Sequence, residues 1–190
     1  MADRRTRARI QLGLIALVFF GPLVLAAWLY YGGWFAAAGD GTNHGTLLTP
    51  IVSVPEALPD SPLNPENDGA WVLLYVNTGA CAAACRDALY TLRQSRLMLG
   101  RDMERLRRVF LHGPTPPDTL FLAGEHQGLI TIEDASLAGL LDNKRPGGVP
   151  AGGYFLLDPL GNLVMYFAPD IDPADMVEDI EHLLRLSRIG

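Results

Sequence analysis

An α/β fold behind a single apolar N-terminal helix is what this sequence predicts, and three observations carry the prediction. Residues 10–31 contain no charged side chain. Residues 70–77, AWVLLYVN, form a continuous apolar run that stops at Thr78-Gly79 and gives way to helix formers, the pattern of a strand buried on both faces that feeds a crossover helix. Strand-like and helix-like segments then alternate to the C-terminus, where Met176, Val177, Ile180, Leu183 and Leu184 recur at helical spacing.

Bulk properties narrow the classes. The chain has 190 residues, 49% apolar and 19% charged, enough to bury a core and too apolar for a disordered chain. Two cysteines exclude a disulfide-dense secreted scaffold and a Cys-rich structural zinc module. A net charge of -6 and a pI near 5.1 argue against nucleic acid as a partner. Mean hydropathy is +0.17, high for a soluble chain, and the excess is concentrated at the N-terminus.

The 22 residues from 10 to 31 would make about 33 Å of helix, enough to cross a hydrocarbon core of about 30 Å. Arg4, Arg5, Arg7 and Arg9 precede them, offset only by Asp3, and the next charge is Asp40. The positive-inside rule then puts a tail, 1–9, in the cytoplasm and everything after Tyr31 on the far side of the membrane, with Trp28, Tyr30, Tyr31 and Trp34 at the interface. The competing reading is a cleaved signal peptide with Ala36-Ala37-Ala38 as its cleavage site, although such h-regions run only about 7–15 residues. Either way the remainder is exported, where a disulfide is permitted. Because 1–9 hold four arginines against one aspartate, the remainder carries -9. The arginines at 101, 105, 107 and 108 read as a solvated face at a helix end.

Prolines at 50, 55, 59, 62 and 65 mark 32–68 as an extended linker, with 47–48 and 51–54 as material for an early edge strand or hairpin. The domain proper is placed at 69–190. Its expected elements are a strand at 70–77, a helix at 80–99 stopped by Gly100, and a strand at 106–112. A helix follows at 118–127 with Asp118 at its cap, then a strand at 128–132 and a helix at 134–141. Strands at 153–157 and 163–167 flank a turn at 158–162 where Asp158 is structural, and the last helix starts at Asp172 or Pro173. A right-handed βαβ unit, an antiparallel hairpin and a closing helix make a three-layer α/β sandwich of the thioredoxin type.

The only two cysteines, Cys81 and Cys85, fall directly after the first strand of that domain, at the start of its helix. In open α/β sheets functional groups gather beyond the carboxyl ends of the strands. A helix N-terminus stabilises a thiolate. If both cysteines lie on the helix they share a face, with Cβ atoms about 5–6 Å apart, so that closing a disulfide at about 3.8 Å requires distortion. Paired thiolates also suit Cu(I). The three intervening alanines leave the sulfurs approachable. The contrary reading is an inert buried or bridged pair.

These residues carry a resemblance. A strand, Cys-x-x-x-Cys at the helix start, and the later Tyr154-Phe155-Leu156-Leu157-Asp158-Pro159-Leu160-Gly161 are similar to the Sco/SenC family, over roughly 69–190. These are membrane-tethered thioredoxin-fold proteins that assist assembly of the copper centre of cytochrome c oxidase. The resemblance implies an inner-membrane, single-pass protein with a periplasmic domain and a protein partner, an oxidase subunit or copper chaperone. It also implies copper ligation by Cys81, Cys85 and a histidine shortly before the late strand. No histidine stands at 149–153, and Arg86 stands where the family has proline. Val149-Pro150 instead resembles the cis-proline turn of thioredoxin-like reductases, which faces the active cysteines.

Candidate site residues are therefore Cys81, Cys85, Pro150 and Arg86 for thiol chemistry, with Arg86 either stabilising a thiolate or simply exposed. His112, at the end of the second strand of the domain, is the substitute third ligand for Cu(I). His44 is a weaker substitute on a docked linker, and His126 and His182 read as surface residues. Three functions compete: thiol–disulfide exchange at the Cys-x-x-x-Cys pair in support of oxidase assembly, Cu(I) carriage by the same cysteines, and a redox-inert interaction module with a structural bridge.

Overall fold

The computed structural model describes residues 2–31, 43–66, 69–115, 117–149 and 151–187. They fall into two units, Met1–Asn43 and His44–Gly190. In the first, helix α1 (Ala2–Tyr31) runs through Pro22, and Arg9–Leu29 is long and apolar enough to cross a membrane. Leu14, Phe19, Leu23 and Trp28 along it are all exposed, whereas a helix of a water-soluble core buries an apolar stripe.

The second unit opens with β1 (Thr46–Ser53), α2 (Val54–Ala57) and α3 (Leu63–Glu66). The described part of the segment expected as linker thus contributes an edge strand and two short helices. A sheet edge tolerates Pro50, which has no N–H to give to a ladder. There follow β2 (Trp71–Asn77), α4 (Ala83–Met98) and a 3-10 helix (Gly100–Arg105), then β3 (Leu106–His112), α5 (Thr119–Glu125) and β4 (Leu129–Glu133). The chain ends with α6 (Ala135–Lys144), β5 (Tyr154–Leu157), β6 (Asn162–Phe167) and α7 (Pro173–Leu186).

The six strands form one mixed sheet in the order β1-β6-β5-β2-β3-β4. β2, β3 and β4 run parallel. β5 is antiparallel to β2, and β6 and β1 continue that alternation. This is the thioredoxin-like sandwich expected from the sequence. β2 is buried from Trp71 to Val76, and its alternate residues serve two cores. Trp71, Leu73 and Tyr75 pack with Leu89 and Leu92 of α4 and Met176 and Ile180 of α7. Val72, Leu74 and Val76 pack on the other side with Leu137 and Leu141 of α6 and with Val54 and Leu63.

Local chemistry sets the ends. Asp118 accepts hydrogen bonds from the Leu120 and Phe121 N–H groups (3.0 and 3.2 Å), and Asp134 accepts from Ser136 and Leu137 (3.0 Å each). Asp172 caps α7 at Ala174, ahead of Pro173 at the first helical position. Asp158 organises the β5–β6 turn, accepting from the N–H groups of Leu160 and Asn162 and from Asn162 Nδ2. Gly161 takes the positive φ, +80°, that closes that turn.

Two sequence expectations are corrected. The arginines are not one solvated face. Arg101 is exposed, but Arg105 donates to the Leu184 and Ser187 carbonyls (3.2 and 3.0 Å) and Arg107 donates to Glu66 O. Arg108 is only 5% exposed, because it shares the α4-facing side of β3 with Leu106 and Phe110. His126 is not on the surface. It is 3% exposed, edge-on to Phe121 at 4.9 Å.

Burial, and after it the Arg108 guanidinium, lowers the His126 pKa below its ordinary value. The unfolded chain therefore takes up this proton first as pH falls, and stability is lost below about pH 6.5. Thermal unfolding of the full chain in detergent, followed by near-ultraviolet circular dichroism at pH 7.5 and 5.5, should show a lower midpoint at the acidic pH. His126→Phe should reduce that loss, and an undiminished loss would reject the assignment.

Candidate functional site

β2 ends at Asn77, whose side-chain oxygen accepts from the Gly79 N–H at 3.0 Å and turns the chain out of the sheet. The Ala82 N–H bonds back to Ala80 O at 3.0 Å, and Ala82, in extended conformation, is the N-cap of α4. The helix therefore begins two residues after Cys81 rather than before it, and only Cys85 lies in its first turn. This corrects the shared-face geometry expected from sequence. With Cys81 on the extended approach, the Cα atoms of Cys81 and Cys85 are 5.0 Å apart and the two are joined in a disulfide. That separation lies inside the usual disulfide range of about 4.4–6.8 Å, so closing the bridge does not require a distorted helix.

The two sulfurs differ in surroundings. Cys85 is 3% exposed and belongs to the core with Ala88, Leu89 and Phe110. Cys81 is half-buried against the same cluster. Alanine at the cap supplies no side-chain acceptor, so the positive end of α4 is left to act on whatever anion forms beside it. A cleft of about 610 Å³ opens beside the pair. One wall is Asn77, Thr78, Ala80, Ala82, Ala84 and Cys85; the other is Ala138, Gly139 and Asp142 of α6 and its C-cap Arg145, with Ala151 and Gly152. Its small side chains keep the cleft open, and Arg145 and Asp142 form an ion pair on its wall. Beneath it, the Tyr154 hydroxyl donates to Ala88 O at 3.2 Å, and burial raises that phenol's pKa well above its ordinary value.

His112 ends β3, paired in register with Asn77 of β2, so the parallel sheet does bring it to the edge where the cysteines emerge. Its Nδ1 lies 2.7 Å from Gly113 O, and it does not line the cleft. Gly113 is buried beside it, where an added Cβ would overlap the Thr78 carbonyl. The loop after β3 thus lies directly on the loop that leads to Cys81. Arg86 is exposed, with its guanidinium over the Phe121 ring at 4.9 Å from the centroid. His44 is held between Asp175 and Glu178 of α7, 3.6 Å from each, and His182 is exposed. Pro150 lies outside the described residues. Sequence reasoning did not single out the α6 wall or Gly113. The signal for α6 was its position after β4, on the same sheet edge as the cysteines.

The copper site implied by the resemblance needs a third ligand. Among the described residues no three His, Cys, Asp or Glu side chains form a group that could hold a metal ion. Among the described residues no histidine joins the two sulfurs at the cleft, so the three-ligand set that the resemblance implies is not assembled there.

Fold and cysteine pair define a thioredoxin-like protein carrying an apolar N-terminal helix. The chain belongs to a family whose models are described as transmembrane-like, thioredoxin-like, C-terminal domain, matching residues 71–187, and transmembrane-like, N-terminal domain, matching residues 2–33. Among solved structures it is similar to apo Sco1 from Thermus thermophilus, at 18% identity over 76% of this chain and 99% of that one, with a TM-score of 0.54. Yeast Sco1 gives 18% identity, 65% and 84% coverage and a TM-score of 0.52. Arabidopsis thaliana ScoI with copper bound gives 15% identity, 65% and 89% coverage and a TM-score of 0.51. At these identities the shared property is the fold. No curated protein sequence matches the chain.

Gly113→Ala is expected to displace the Thr78 loop and to cost about 1–3 kcal/mol, the usual range for an overpacked site. Thermal unfolding should show the loss, and the rate of disulfide reduction by dithiothreitol should change with it. Gly147→Ala, where a Cβ meets nothing within 4 Å, should leave both unaltered. An unaltered Gly113→Ala protein would reject the close-packing argument.

Proposed function

We propose that this chain is a membrane-anchored thiol–disulfide exchange protein that reduces a protein partner in support of copper-centre assembly in cytochrome c oxidase. The observation that supports it most is the asymmetry of the pair. Cys81 is half-buried ahead of the helix, and Cys85 is 3% exposed within its first turn. In the dithiol form, the Cys81 thiolate attacks one sulfur of a partner disulfide, forming a mixed disulfide and releasing the partner's other sulfur as a thiolate. Cys85, deprotonated, then attacks Cys81 Sγ, which closes the intramolecular bridge and frees the second partner thiol. Two electrons and two protons pass to the partner, and an upstream thiol reductant restores the dithiol. The uncapped end of α4 favours the attacking thiolate, and the cleft between the cysteine loop and α6 offers room for the partner's backbone.

In this reading residues 1–9 are cytoplasmic, 10–31 span the inner membrane, and the unit from His44 onward, which includes β1, α2 and α3, is the periplasmic domain. Pro150 is assigned to partner recognition, and Arg86 to support of the thiolate. The second reading, Cu(I) carriage by Cys81 and Cys85 with His112 or a partner side chain, rests on the fold shared with a ScoI that has copper bound. The missing third donor among the described residues favours exchange.

The test uses the full chain in detergent. Cys85→Ser is expected to accumulate a mixed disulfide with an oxidised thiol partner, whereas Cys81→Ser should trap none. Failure to exchange with any disulfide would overturn the reading, as would a stable equimolar Cu(I) complex that Cys81→Ser abolishes. In cells, full oxidase assembly by a Cys81→Ala/Cys85→Ala double variant would leave only an inert docking role.

A further inference from the structure

A second cleft, of about 300 Å³, lies beside α4 away from the cysteine cleft, lined by Arg93, Arg96, Arg108, Glu125 and Gln127. Its floor is unusual in its charge. Arg108 is 5% exposed, and of its nitrogens only Nη2 is satisfied, by Gln127 O at 2.6 Å; Nε and Nη1 are buried without a partner. A buried guanidinium is ordinarily matched by a carboxylate, because an uncompensated charge away from water is costly. Here the groups near it are further cations. Burial, and after it the charges of Arg96 and Arg93, lower the Arg108 pKa. Arg96 is partly committed, donating to Leu106 O at 2.9 Å and meeting Glu104 at 3.3 Å. Arg93 makes no ion pair among the described residues. Glu125 is the acidic side chain on the rim, and it is exposed. His126, buried next to it, also has an Nδ1 without a partner.

We propose that this cleft binds a small oxyanion of the phosphate type, seated over Arg108 and hydrogen-bonded by Arg93, with Arg96 at its side. Planar guanidinium forks match such oxygens in geometry and charge, and the anion supplies the counter-charge that Arg108 lacks. The volume admits a single phosphate group together with water. The site is separate from the cysteine pair and does not depend on the exchange reading.

The test is a titration of the full chain in detergent with inorganic phosphate at constant ionic strength, read by thermal unfolding and by arginine side-chain nitrogen resonances, with chloride as control. Saturable stabilisation by phosphate and not by chloride is expected. Arg93→Gln and Arg108→Met should each weaken it about tenfold, the usual size of one lost charge-assisted hydrogen bond. Equal effects of phosphate and chloride would overturn the proposal, as would wild-type titration by Arg93→Gln. Because Arg93 is half-buried where Arg108 is buried, Arg93→Gln decides the matter even if Arg108→Met fails to fold.

Discussion

The parallel pairing of β2 with β3 is the interaction on which the other features depend. Seven consecutive residues, Trp71 to Asn77, lie in register against Leu106 to His112. Parallel strands require a crossover, and the crossover available is α4, packed over the face that carries Trp71, Leu73 and Tyr75. The start of α4 is therefore forced to the carboxyl edge of the sheet. The same constraint returns β3 to that edge with His112 and Gly113, and β4 returns there with Asp134 at the cap of α6. Cysteine loop, glycine contact and the α6 wall meet because three strands point the same way.

Within that frame the placing of the two sulfurs follows from one residue. Ala82 is extended, so the chain makes one more turn outside the helix before it winds. A cysteine before that point is partly open to solvent, and one after it is drawn into the core with Leu89 and Phe110. Had the helix begun earlier, Cys81 would have stood on the same helix face as the buried Cys85.

Much of this was legible in the sequence, for physical reasons that can be named. β2 was visible because a strand buried on both faces is written as an unbroken apolar run. α5 and α7 were visible because Asp118 and Asp172 stand where caps belong. The order of elements then left few topologies, and the cysteines fell at the productive edge. β1 was harder to see, since a proline-rich edge strand looks like a linker until β6 is known to need a neighbour. Arg108 was misread as part of a charge run, although period-two alternation places it on one side with Leu106 and Phe110. His126 carried no local signal, because its burial comes from Phe121 and from β3, elements that meet only in three dimensions. The α6 wall likewise depends on tertiary packing rather than on any motif.

At the other side of the sheet, the first described residues of the domain are fastened rather than loose. The Gly45 N–H donates to the buried carboxylate of Asp179 at 2.7 Å, His44 sits between two acids of α7, and Thr46–Ser53 zips onto β6. The N-terminal helix lies just upstream in the chain, so any pull from that end is first borne here. Force enters at an edge strand and the last helix, with β6 and β5 standing between that seam and β2. The arrangement is a strain relief: tension along the chain is taken up at the seam before it reaches the loop that holds the sulfurs.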